Sequence, residues 1–114
     1  MRIIIPVYSE AGLDAQICDH FGRTPYFTVI DLGENGQIIK QSTVSSSGEH
    51  FCEGISFLLN LKPNFMIAHG MGQRVIQNFQ NAKIAILKTS AKVVKDAIQQ
   101  YTRGELVELT EGCH

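Results

Sequence analysis

Apolar residues fall in short, separated runs along this chain, and their spacing changes partway through. Arg2 to Tyr8 is rich in isoleucine and valine without polar alternation, the pattern of a strand buried on both faces near mid-sheet. A polar loop from Ser9 to about Pro25 follows. Tyr26 to Leu32 is aromatic and β-branched, which predicts a second strand. Gly33-Glu34-Asn35-Gly36 carries the Asn-Gly hairpin signal, so Gln37 to Val44 is expected to return antiparallel.

From Ser45 the spacing becomes helical. Ser46 and Glu49 fit a capping box, and Phe51, Ile55, Leu58 and Leu59 share one helix face. Pro63 stops that helix by forcing its predecessor out of helical geometry. Phe65 to Ala68 predicts a short buried strand and His69-Gly70-Met71-Gly72 a glycine turn. A helix from about Gln73 to Asn81 buries Val75, Ile76 and Phe79, and Ile84 to Leu87 forms another strand. Ser90 is a candidate cap for a last helix carrying Val94, Ala97, Ile98 and Tyr101, which Gly104 ends.

The resulting order is βββαβαβα. It predicts one α/β domain over residues 1–114, with 105–114 as a candidate flexible tail. The sheet is expected to be mixed, five-stranded and flanked by helices in a ribonuclease-H-like layout, with right-handed crossovers. If the first three strands form an antiparallel meander, strands one, three and four end on the same edge. Cys18-Asp19-His20, His50-Phe51-Cys52 and His69 all follow such ends, where open α/β sheets place ligands. Cys113 and His114 close the chain, and sequence does not place them.

Composition sharpens this reading. The chain has 114 residues, 44% hydrophobic and 18% charged, so one domain needs no covalent staples. A net charge of -1 argues against a non-specific nucleic-acid binder, which needs a basic face, though it leaves room for a local basic patch. No apolar stretch approaches the roughly 20 residues of a membrane span, and no signal-peptide pattern opens the chain. The expectation is a cytoplasmic protein with reduced thiols. Three cysteines cannot close a disulfide framework, and without any C-x-x-C they do not match a zinc finger. Cys18, His20, His50, Cys52, His69, Cys113 and His114 therefore stand as candidate metal ligands on an open rim. Each alone is more readily a core thiol or a solvated imidazole; the grouping is what carries weight. Beside them, Gly70, Met71 and Gly72 lead into a helix whose first turn holds Arg74, and Arg23 precedes the second strand. Helix-start amides and two arginines suit an anion, and metal–sulfide clusters are usually anionic.

At these residues the chain resembles the dinitrogenase iron–molybdenum cofactor biosynthesis family, of the NifX and NifB C-terminal type. The resemblance lies in Asp19-His20-Phe21-Gly22-Arg23-Thr24-Pro25-Tyr26-Phe27, in Gly70-Met71-Gly72, and in Gly104-Glu105-Leu106. It covers nearly the whole chain and implies a ribonuclease-H-like fold that binds or carries iron–molybdenum-type or related metal–sulfide clusters. His20 and the Gly70–Gly72 turn match the family's motifs, whereas Cys52 and Cys113-His114 resemble only small stand-alone members.

The leading expectation is a small non-enzymatic carrier or scaffold, exchanging its cluster with donor and acceptor proteins and touching neither nucleic acid nor membrane. The alternatives are a metal- or redox-sensing interaction module and a divalent-metal nuclease. The nuclease would need Asp14, Asp19, Asp31 and Glu49 to converge, yet Asp31 should sit at the far end of its strand. Oligomeric state is not legible in the sequence.

Overall fold

A strand with apolar side chains on both faces needs cover on both sides, and β1 (Arg2–Val7) has it. Ile3, Ile5 and Val7 enter one core cluster and Ile4 the other, all fully buried. The computed structural model describes residues 1–19, 24–45, 58–70 and 73–108. Around β1 lie β2 (Tyr26–Leu32), β3 (Ile38–Ser45), β4 (Phe65–Ala68), β5 (Ala85–Lys88) and β6 (Val107–Glu108), in the sheet order β3-β2-β1-β4-β5-β6. β1 pairs antiparallel with β2 and parallel with β4, and β2 pairs antiparallel with β3. β5 runs parallel to β4. The meander thus points β1, β3, β4 and β5 the same way.

The described sheet has six strands, where the pattern predicts five. The additional β6 pairs antiparallel with β5 through Leu87↔Glu108 and Lys88↔Val107. Two residues are too few to show alternation, so no periodic signal marks them.

Among the described residues, two helices cover opposite faces. Helix α1 (Gln73–Asn81) buries Ile76 and Phe79 against Ile4, Phe27, Met66 and Ile86. Helix α2 (Val94–Thr102) buries Val94, Ala97 and Ile98 against Ile3, Ile5, Ile30 and Ile67. The expected helix after Ser45, with its Ser46–Glu49 cap, lies mostly outside the described residues. Residues 58–60 are helical, and Leu58 joins the α1-side core with no exposure.

Local chemistry explains the element ends. After α2, Gly104 takes φ +71°, its N–H bonds the Tyr101 carbonyl, and Glu105 N–H bonds the Gln100 carbonyl. That is a Schellman cap, and glycine adopts its left-handed position without a Cβ clash. Helix α1 ends on the same bonds, Lys83 N–H to Gln80 and Ile84 N–H to Phe79, but with Lys83 at φ 64°. In the β2–β3 hairpin only Gly36 is left-handed, φ +78°, and its N–H bonds the Gly33 carbonyl at 3.0 Å. The turn therefore centres on Glu34-Asn35 with Gly36 as the bulge residue, rather than on Asn-Gly itself.

Two further expectations are corrected. Ser90 does not cap α2: the helix starts three residues later behind Val93, with no side-chain cap bond. Residues 89–91 are occupied by a turn in which Ala91 N–H bonds Thr89 Oγ1 at 3.0 Å. Nor is Ser9 to Pro25 simply a polar loop. A 3₁₀ turn at Gly12–Asp14 leads into Ala15, Ile17 and Cys18, all buried.

Candidate functional site

The edge where β1, β4 and β5 end is assembled by the segment after that turn. It folds back along β1: Tyr8 N–H donates to the Gln16 carbonyl at 3.0 Å and Cys18 N–H to the Pro6 carbonyl at 2.9 Å. On its other side Ile17 N–H reaches the Lys92 carbonyl at 2.8 Å, and Val94 N–H the Ala15 carbonyl at 3.1 Å. Buried Ala15 and Ile17 give this segment its apolar anchor. Cys18 and Asp19 are thereby delivered to the top of β1. Asp19 N–H also donates to the Tyr8 hydroxyl at 3.2 Å.

His69 follows β4 directly and meets this segment. Its Nδ1 lies 2.5 Å from Asp19 Oδ1, and its Nε2 lies 2.5 Å from the Ala91 carbonyl oxygen. A carbonyl only accepts, so Nε2 carries a proton and donates it. As placed, neither ring nitrogen offers a lone pair to the rim. The His69 side chain is 22% exposed and that of Asp19 64%, so the imidazole is sheltered while the carboxylate faces outward.

A cavity of about 460 Å³ adjoins this pair, lined also by Lys88, Ser90, Gln100 and Glu105. Thr89 Oγ1 accepts from Ala91 N–H, so its own hydrogen goes to Gln100 Oε1 at 2.5 Å. That orients the Gln100 amide, whose Nε2 donates to Ser90 Oγ at 3.4 Å. A larger cavity, about 830 Å³, opens at the opposite edge between Met1, Leu32, Ile39 and Tyr101. Neither Cys18 nor His69, the described candidate ligands, lines the larger cavity, so size does not decide between the two ends.

Of the seven candidate metal ligands, Cys18 and His69 lie among the described residues. The sheet brings their two segments to the same edge. Cys18 is buried at 2% exposure. His20, His50, Cys52, Cys113 and His114 lie outside the described residues, as do Arg23, Met71 and Gly72. Gly70 is buried at the end of β4, and Arg74 is exposed in the first turn of α1, which holds no acidic residue. Among the described residues, no three His, Cys, Asp or Glu side chains converge as a metal site. Sequence reading missed Asp19 as a partner of His69, although it sits inside the quoted Cys18-Asp19-His20 segment. The shared rim was the available signal.

Among the described residues, the carboxylates required of a nuclease (Asp14, Asp19 and Asp31) do not gather; Glu49 lies outside them. Asp31 lies at the opposite edge, paired with Arg2 at 2.9 Å, and Asp14 is exposed with Lys95 3.6 Å away. Asp19 is committed to His69. The Arg2 guanidinium beside Asp31 holds that carboxyl below its ordinary range, through the hydrogen bond first and charge attraction after.

With that geometry in place, comparison with known proteins defines the class. Residues 1–104 match the family described as dinitrogenase iron-molybdenum cofactor, and the chain belongs to it. Membership links the chain to iron–molybdenum cofactor handling. Among solved structures, the chain is similar to the apo form of the orange protein from Desulfovibrio gigas. The two are 18% identical, with TM-score 0.85 over 99% of this chain and 96% of that one. A proposed dinitrogenase from Methanocaldococcus jannaschii is 17% identical, with TM-score 0.80 over 97% and 96%. A proposed NifB protein from Thermotoga is 22% identical, with TM-score 0.76 over 99% and 97%. At these identities the likenesses establish a shared fold. No curated protein sequence matches the chain.

Proposed function

We propose that this protein is a small carrier or scaffold for an anionic metal–sulfide cluster of the iron–molybdenum-cofactor kind, held at the rim where β1 and β4 end. The observation that carries the proposal is that Cys18-Asp19 and His69-Gly70 arrive at one edge of the sheet in a chain of this family. From Asp19 the chain continues into His20 and Arg23, and from Gly70 into Met71, Gly72 and the start of α1. His20 and Cys52 are the proposed ligands, with Cys18, His50 and Cys113 as further candidates. The α1 amides and Arg74 supply hydrogen bonds and positive charge suited to an anion. The cluster is cargo, received from a donor protein and passed to an acceptor, and the protein performs no chemistry on it. We extend the proposal to a ribonuclease-H-like layout, supported by the β3-β2-β1-β4-β5 order with only β2 reversed among those five strands. A cytoplasmic setting with reduced thiols belongs to the same reading. Among the described residues no helix is long and apolar enough to cross a membrane.

Anaerobic purification with metal analysis, followed by exposure to tetrathiomolybdate, tests the reading. Bound or acquired iron, molybdenum or copper is the expected result. Protein that carries none and takes up none contradicts it.

A further inference from the structure

His69 touches three separate pieces of chain. It belongs to the end of β4, its Nδ1 contacts Asp19 on the segment folded along β1, and its Nε2 donates to Ala91 in the turn before α2. Both contacts are 2.5 Å long, and the ring is largely sheltered. A metal ligand or general base needs a nitrogen lone pair directed at its partner, and both nitrogens here are already engaged. Second groups that orient a ligand-bearing segment are held in this way, by hydrogen bonds at both ends.

We propose that His69 is a positioning residue: it pins Asp19 to the sheet and so fixes the point from which the chain departs toward His20. This deepens the carrier reading and rests on it for its binding consequence, though the positioning itself is a property of the protein without cargo. Asp19 has two holds on the sheet, its own N–H on Tyr8 and its carboxyl on His69. The Tyr8 bond fixes the backbone at residue 19 on the N-terminal side of the ring contact. The His69 bond fixes the exposed side chain, and through it the backbone rotation from which residue 20 departs. Removing the imidazole leaves Asp19 with one hold.

Two isosteric substitutions separate the two ring contacts. His69→Asn places an amide nitrogen near the Nδ1 position and keeps a donor for Asp19. His69→Gln places one near Nε2 and keeps the bond to Ala91 alone. Tetrathiomolybdate is the probe, titrated anaerobically into the full chain and into the variants, with thermal midpoints measured alongside. Weakening by about tenfold in H69Q and D19N, with H69N close to the parent, is expected from the loss of one charge-assisted bond. The double variant D19N/H69Q should bind no worse than either single one, since both remove the same link. A purely structural role predicts that binding follows the thermal midpoint in all variants; that result, or stronger binding by H69Q than H69N, overturns the proposal. If the parent protein takes up no tetrathiomolybdate, the carrier reading fails by itself. Positioning is then read from amide resonances of residues 18–23 in cargo-free protein. They should move in H69Q and D19N, and unchanged resonances overturn the proposal.

Discussion

The two edges of the sheet are closed by different means. At the edge where β1 begins, hydrogen bonds tie β1 and β2 to each other and to the segment before β4. Arg2 Nε bonds Asp31 Oδ1 at 2.9 Å, and its Nη1 bonds the Leu61 carbonyl at 2.6 Å. Asn64 accepts from Arg2 N–H through Oδ1 at 2.6 Å and returns its own N–H to the Arg2 carbonyl at 2.8 Å. The terminal ammonium of Met1 donates to the Leu32 carbonyl at 2.9 Å, and Leu32 N–H to the Met1 carbonyl. At the opposite edge, Cys18 N–H bonds the Pro6 carbonyl, Asp19 N–H bonds the Tyr8 hydroxyl, and Gly70 follows β4 two residues on; from there the chain continues into residues 20–23 and 71–72. One edge spends its polar groups on itself; at the other, Asp19 is held by the Tyr8 hydroxyl and by His69. The first edge is built for stability; the second is the edge proposed to bind.

The largest expected effect removes the support both edges share. Ile4 is fully buried at the middle of β1, and Ile4→Ala should cost about 2–5 kcal/mol in urea denaturation from lost burial and the cavity left behind. Binding at the rim should weaken in that variant only as far as the fold itself is lost.

The next separates the edges by pH. Because Arg2 holds the folded-state pKa of Asp31 below its unfolded value, their pairing contributes stability above the ordinary carboxylate range. That contribution falls away as the pH drops through the depressed folded value. Arg2→Met should therefore flatten this acid limb of the stability profile and leave tetrathiomolybdate uptake at neutral pH unchanged. Both side chains are partly exposed, at 39% and 26%, so added salt should shrink the difference.

The smallest effect concerns a helix end remote from the rim. Lys83 holds a left-handed conformation that glycine adopts at less cost, so Lys83→Gly should stabilise the fold by about 0.5–1 kcal/mol. A destabilised variant would show that the lysine side chain makes a compensating contact.

These contrasts also explain what could be read from the sequence. β2, β4 and α1 were legible to the residue, since each is a run whose period differs from that of its flanks. Gly104 was legible as a terminator because glycine's freedom is a local property. The segment at 15–18 was harder. Leu13, Ala15 and Ile17 do alternate, but Asp14 and Gln16 between them and the short length hid a piece of chain that pairs only through isolated bridges. Ser90 looked like a cap because serine caps helices; here Thr89, one residue earlier, bonds Ala91 N–H and Gln100 instead. The site divides the same way. Convergence of the Cys18 and His69 segments followed from strand order, a long-range consequence of local patterns. The short Asp19–His69 contact did not, because it depends on how a nonperiodic segment folds back over β1.

The central claim is that cargo binds at the edge bearing Asp19 and His69 and not at the edge closed on itself. Its most direct test follows backbone amide resonances at both edges while tetrathiomolybdate is titrated anaerobically into the isotopically labelled protein. Saturable changes at Cys18, Asp19, His69 and Gly70, with Arg2, Asp31 and Asn64 unmoved, are predicted. Changes centred on the Arg2–Asp31 edge, or no saturable change at either, would contradict the account.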